Sequence, residues 1–314
     1  MLNEYFKYGA LTAKVRAMYA YSLNEADYEA LMNKKSIGEI ISYLKNTKGY
    51  SSLLKNIDEL NVTRERIEII LKNDLYYRFN KLLYFMGLDD KKALSFITAK
   101  AEADEILRFI RFLSSKHENE YFFIKSDCLI NHSKIDFKTL ATKRTFSDLL
   151  TIIKNTVYFS ALSPFINNFD YSAMETAVYN SFYSHLLKTL KLLDSDTSKY
   201  LSDMILTEID FINISAIIRL KAFYSLSTDE IEKHLIPFSK HLRGKLKKDI
   251  LNAPTKDSIY KIIEKSPYGR YFTNTDRMYI DSIIPRFYIS YSKKIIRSGK
   301  PTPAVVMAYL KLAE

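Results

Sequence analysis

The chain is poor in the residues that interrupt helices. Its 314 residues include 7 glycines and 7 prolines, and before Pro237 the only proline is Pro164. Inside a helix proline costs about 3 kcal/mol and glycine about 1, so long stretches without either favour an all-α fold. Cysteine is scarcer still. Cys128 stands alone, which excludes an internal disulfide and fits a reducing compartment. The segment CLINH, Cys128 to His132, offers half of a metal site, but there is no second cysteine and the five histidines are scattered. Zinc is therefore not expected. No apolar run approaches the ~20 residues that cross a bilayer, and the opening MLNEYFKYGA lacks the uninterrupted apolar core of a secretion signal. A cytosolic location is expected. Also missing are Gly-x-Ser-x-Gly, a Walker loop, a dinucleotide fingerprint and His-Glu-x-x-His, which argues against an enzyme and against a bound cofactor.

With 47% hydrophobic and 26% charged residues, the composition is that of a globular protein, and the length allows two or three domains. Charge is unevenly spread. Residues 240 to 314 hold 16 Lys+Arg against 6 Asp+Glu, a balance of +10, which leaves 31 against 30 for everything before. A basic end points to an acidic protein, anionic lipid or nucleic acid as partner, or to a solvated surface that keeps the protein soluble.

Helix starts are well marked. Thr63 precedes a run with apolar Ile67, Ile70, Leu71, Leu75 and Phe79, and Gly87 is placed as its terminator. Asp89 and Asp90 are placed to cap the helix that carries Glu102. Ser36 with Glu39, and Ser227 with Glu230, fit the capping box. The 3.6-residue period continues through 186 to 193 and 282 to 296, with Pro285 bending or starting the latter. The segment 117 to 144 is less periodic; its EYFFIKSD reads as a short extended piece or a connecting loop, and marks the first boundary.

Landmarks recur in one order. AKAEADEILRF, 99 to 109, and LTEIDFINISA, 206 to 216, each break an apolar helix with Glu-x-Asp, as Glu102/Asp104 and Glu208/Asp210, 106 residues apart; a third step lands on Glu314. ISYLKNTKGY, LLTIIKNTVY and YKIIEKSPY each end an apolar helix, then place Thr47, Thr156 or Ser266 before Tyr50, Tyr158 or Tyr268. Three tandem helical units are expected, over 1–116, 117–223 and 224–314, the third incomplete at its C-terminus.

An unpaired buried carboxylate is costly, so Glu102 and Glu208 are expected to face solvent or meet a cation. Within their own helices Arg108 and Arg219 are too far away to pair with them. Arg16, flanked by apolar Val15 and Met18, is a candidate cation from another helix. Two readings stay open: buried ion pairs that fix helix register, or a polar wall facing a partner. Spread over three units, the carboxylates do not converge as a hydrolytic site requires.

The opening YGALTAKVRAMYAYSLNEADYEALMNKKSIGEIISYLKNTKGY resembles the N-terminus of the central-stalk C-type subunits of archaeal and bacterial V-type ATPases, which correspond to the d-type subunits of eukaryotes. The resemblance rests there on Tyr8, Val15, Arg16, Ala17, Tyr28, Leu31, Leu44, Thr47 and Tyr50. TEIDFINISAIIRLKAF resembles the same family's acidic helix through Glu208, Asp210, Asn213, Ile214, Arg219 and Lys221. In the first repeat Leu107 stands where the pattern has Asn, and Leu113 where it has Arg. The resemblance implies a non-catalytic rotor adapter: a funnel of three helical units on the cytoplasmic face of the membrane ion-carrying ring. Its cavity would receive the central-shaft subunits, and anionic lipid is a further possible contact. No nucleic acid or small-molecule substrate is implied. The alternative reading is a basic helical nucleic-acid-binding protein, suggested by the basic end and by YGRYFTNTDRMY, 268 to 279, whose tyrosines could stack on bases.

Overall fold

The computed structural model describes residues 2–115, 129, 133–224, 226–272, 283–298 and 300–313. Among them the fold is all-α, with no strand. Cys128, His132, the EYFFIKSD segment, residues 273–279 and Glu314 lie outside the described residues.

The helices are α1 Leu2–Tyr19, α2 Glu25–Met32, α3 Ile37–Lys45, α4 Ser51–Leu54, α5 Arg64–Leu83, α6 Leu88–Leu94 and α7 Phe96–Ser114. Next come α8 Phe137–Leu140, α9 Phe146–Ile152, α10 Val157–Leu162, α11 Tyr171–Leu190 and α12 Ser195–Tyr224. The last are α13 Thr228–Lys233, α14 Gly244–Asn252, α15 Lys256–Glu264, α16 Ile283–Arg297 and α17 Ala304–Ala313. Caps set many of the starts. The hydroxyl of Thr63 accepts from the amide of Arg66 at 3.3 Å. Ser227 and Glu230 close the full capping box. Ser36 accepts from Glu39 N–H at 3.2 Å, while the Glu39 carboxylate takes the amide of Lys35 rather than that of the cap residue. Helix α5 ends at Leu83, four residues before Gly87, and Asp89 and Asp90 lie in the first turn of the separate short helix α6, so α7 is a distinct element.

The chain divides into two compact units. The first combines Met1–Lys91, Ile124–His132 and Ser292–Glu314. Here α17 packs against both α1 and α5, and every residue from Ala304 to Leu310 is buried. A second cluster of this unit joins Ile41, Leu44, Leu54 and Ile67. Tyr8 of α1 donates to Asp90 of α6 at 3.1 Å, which fixes the start of α1.

The second unit combines Lys92–Phe123 and Ser133–Tyr291. Helix α11 packs against α7, α10 and α12, and α15 packs against α12 and α14. Helix α12 runs for 30 residues, about 45 Å at the usual rise. From Thr207 to Ile218 every residue but the half-buried Ile212 and Ala216 is buried, which is the pattern of a core helix. Phe211 on it meets Tyr268, Tyr271, Phe272 and Phe287 edge-on, with ring centroids 5.0 to 6.4 Å apart.

Candidate functional site

The three tyrosine turns share one construction. Thr47 donates to the carbonyl of Leu44 at 2.7 Å, Thr156 to Ile153 at 2.8 Å and Ser266 to Ile263 at 2.6 Å. Each hydroxyl thus adds a side-chain bond to a carbonyl at the end of α3, α9 or α15 that also accepts the amide of the same residue, at 2.9 to 3.0 Å. In two turns the same oxygen accepts the following tyrosine amide, from Tyr158 at 3.3 Å and Tyr268 at 3.1 Å. The third turn requires glycine after its tyrosine, since a Cβ on Gly269 would collide with the carbonyl oxygen of Glu264.

Two of these tyrosines reach an acidic helix that precedes them in the chain. Tyr158 donates to the Ala99 carbonyl of α7 at 2.7 Å. Burial raises its pKa, and the charges of Glu102 and Asp104 add to the shift. Tyr268 donates to Oδ2 of Asp210 on α12. Tyr50 lies under the guanidinium of Arg78, which is 5.4 Å from the ring centroid. Arg78 also donates to the carbonyl of Gly49 at 3.1 Å and to the hydroxyl of Tyr309 on α17 at 3.0 Å.

Asp210 is the most enclosed of the predicted residues, with no exposed surface. Besides Tyr268, its Oδ2 accepts three consecutive backbone amides: Lys240 at 3.0 Å, His241 at 2.8 Å and Leu242 at 3.1 Å. Burial raises its pKa, while these four donors favour the carboxylate and oppose the shift. One turn along, Asn213 pairs both ways with Ile236, its amide donating to the carbonyl and its oxygen accepting the N–H, each at 2.9 Å. Further on, Lys221 donates to the Ala253 carbonyl at 2.8 Å. One face of α12 therefore holds the irregular segment 236–242 and the end of α14. The side chains do so by partnering backbone groups of those segments.

Glu102 on α7 works in the same way at smaller scale. It accepts from the Ser133 hydroxyl at 2.6 Å and from the amide of Lys134, and Ser133 in turn accepts Ile135 N–H at 2.9 Å. Burial raises the Glu102 pKa. Asp104 is exposed and meets Lys100 at 3.6 Å. The buried acid of this helix is its neighbour Glu105, bound to Arg108 at 2.8 Å. Glu208 is 8% exposed and, among the described residues, makes no hydrogen bond or ion pair. Its charge adds to burial in raising the pKa of Tyr183. Arg16 donates from Nε and Nη2 to the carbonyl of Ile296, each at 3.3 Å, closing the end of α16. Arg219 is exposed. The structure thus brings Asp210 and Asn213 together on one loop and leaves Asp104 and Arg219 on the surface.

Sequence reasoning did not anticipate the amides of 240–242, the role of Glu105 or the Arg78 to Tyr309 link. A signal for the first was present, because Pro237 and Gly244, the latter with φ of 56°, bracket a segment that cannot continue a helix.

The profile of the ATP synthase (C/AC39) subunit family matches residues 11–314. The C-type subunit of the A-type ATP synthase of Methanosphaera stadtmanae is 25% identical over 274 residues, 85% of this chain and 68% of the relative. Its counterpart in Thermococcus kodakarensis is 27% identical over 240 residues, 76% of this chain and 63% of the relative. That of Pyrococcus abyssi is 23% identical over 319 residues, 98% of this chain and 83% of the relative. With nearly its whole length matched, the chain belongs to the ATP synthase (C/AC39) subunit family, as a non-catalytic, all-helical component.

Proposed function

We propose that this chain is the rotor adapter of a V-type ATPase, linking the central-shaft subunits to the membrane ion-carrying ring on its cytoplasmic face. Three helical units, over 1–116, 117–223 and 224–314, would form the staves of a funnel around the shaft. The observation that carries this reading is the repeated tyrosine turn on a chain matched by one family of ATP synthase subunits from residue 11 to 314. Interior polar groups spent on holding loops, as Asp210 and Asn213 are, suit a stiff element that transmits torque without chemistry of its own. Among the described residues no helix is long and apolar enough to cross a membrane, so attachment to the ring would be through protein contacts.

The alternative of nucleic-acid binding rests on the basic end and on the tyrosines of 268–279, a stretch of which 273–279 lie outside the described residues. Tyr260 and Tyr268 are buried and unable to stack on bases, and Tyr271 is half-buried with its ring edge-on to Phe211 and Phe287.

The test is reconstitution. Omitting the chain from a purified motor should leave ATPase activity in the soluble head and abolish ATP-driven ion transport. Transport at the normal ion-to-ATP ratio without it would overturn the adapter role.

A further inference from the structure

Residues 240–270 hold 9 Lys+Arg and 3 Asp+Glu, a balance of +6 out of +11 for the whole chain. Two of these cations are neutralised within the fold, Lys240 by Asp203 at 3.3 Å and Lys247 by Glu232 at 2.9 Å. Arg243, Lys245, Lys248, Lys261 and Lys265 are exposed and in no ion pair among the described residues. They ride on α14 and α15, which pack on each other and turn Ile250, Leu251, Ile259, Tyr260 and Ile263 inward.

Their placement works against α14, whereas Lys261 and Lys265 stand at the end of α15, where a cation complements the helix dipole. Lys245 and Lys248 are three apart and Lys261 and Lys265 four apart, so each pair repels across one helix face. The first turn of α14 bears lysines and no acid, and its cap residue Arg243 makes no side-chain cap bond, which opposes the helix dipole. Within α14 the fold gains nothing from these charges.

We infer that the outer face of α14 and α15 is a docking surface for an acidic segment of a partner protein. Charge complementarity identifies the occupant. No large apolar side chain is exposed between 240 and 272, so the face lacks the anchors that hold a protein in a lipid interface. Its aromatic rings at 260 and 268 are inside, so it lacks a stacking platform for bases. Rows of cations on two packed helices match carboxylates spaced along an acidic helix. The inference concerns a surface on the isolated chain and stands apart from the adapter role.

The test is fluorescence anisotropy of a labelled glutamate-rich helical peptide with the full chain at low salt. The combined variant R243S, K245S, K248S, K261S and K265S should bind about tenfold or more weakly, and added salt should weaken the unsubstituted chain in the same direction. The combined variant K14S, K35S, K48S, K55S and K91S, which removes five exposed lysines elsewhere, should bind as the parent does. Equal loss in both variants, or no peptide binding, would overturn the proposal. So would phosphatidylglycerol vesicles or single-stranded DNA bound more tightly than the peptide through the same five residues. The first variant should also melt within about 4 °C of the parent temperature; a larger fall would make these cations structural and overturn the proposal as well.

Discussion

The hydroxyl of Tyr268 donates to the carboxylate of Asp210 inside the second unit, and 58 residues of chain separate the two. The bond ties the turn after α15 to the middle of α12. Tyr268→Phe removes a donor to a buried charged acceptor and should destabilise the chain by about 1.5–3 kcal/mol in urea unfolding. In an Asp210→Ala background the same change should cost far less. Equal costs in both backgrounds would show that the ring packing, not the bond, carries the effect.

Asp210 and Asn213 hold different parts of one segment, and hydrogen exchange should separate them. Asn213→Ala leaves the N–H and carbonyl of Ile236 without partners and should cost about 2–4 kcal/mol. The amide of Ile236 should then exchange faster than those of Lys240, His241 and Leu242. Asp210→Ala should produce the reverse order. Uniform acceleration of all four amides in both variants would mean that the segment opens as one body and that neither side chain has a local role.

Glu102 has a definite pH sign. Burial raises its folded pKa above the unfolded value, so the native state holds this proton more tightly. Its favourable contribution is complete below the unfolded pKa and is lost as pH rises through the folded pKa. Glu102→Gln keeps an acceptor for Ser133 and removes the titration. Relative to the parent, the variant should gain stability between about pH 4 and pH 7, read by urea unfolding at each pH. A constant difference across that range would refute the sign.

The helical class and the tyrosine turns were legible because scarce proline, cap residues and local hydroxyl bonds act within a few positions of one another. The register of the acidic helices was not. Matching Glu-x-Asp to Glu-x-Asp gives a step of 106, yet the carboxylates that hold a following loop are Glu102 and Asp210, 108 apart. Two residues turn a helix by about 200°, so the matched residues Asp104 and Asp210 end up respectively exposed and fully buried. Which carboxylate faces inward depends on the packing of α7 and α12 against α11, contacts that local pattern does not encode. The loop amides at 240–242 were invisible for the same reason, since a backbone N–H leaves no mark in the residue letter.

Glu208 gives a prediction of opposite sign in the isolated chain and in the complex. Glu208 is 8% exposed and makes no hydrogen bond or ion pair among the described residues, so the described fold offers its charge no partner to lose. In the isolated chain Glu208→Gln should leave the melting temperature unchanged or raise it. If Glu208 meets a cation on the shaft, the same change should weaken shaft binding, with about 3–5 kcal/mol as the upper range for breaking a buried pair. A loss of isolated-chain stability above about 1 kcal/mol, together with unchanged shaft affinity, would place its role inside the fold.

The last prediction concerns the way α17 is held in the first unit. Its residues from Ala304 to Leu310 are buried, and the hydroxyl of Tyr309 accepts from Arg78 at 3.0 Å. Arg78 also binds Asp74 at 2.5 Å and the Gly49 carbonyl, beneath the first tyrosine turn. Tyr309→Phe removes one acceptor while Asp74 and Gly49 still satisfy the guanidinium, so the cost should be about 1–2 kcal/mol. Arg78→Met strands three groups at once, the carboxylate of Asp74 among them, and should cost about 3 kcal/mol or more. Because the loss falls on the first unit, the amides of α17 and of the turn at 47–50 should lose exchange protection before those of α12 do. Simultaneous loss of protection in α12 would show that the two units unfold as one, and that the Arg78 link is not local to the first.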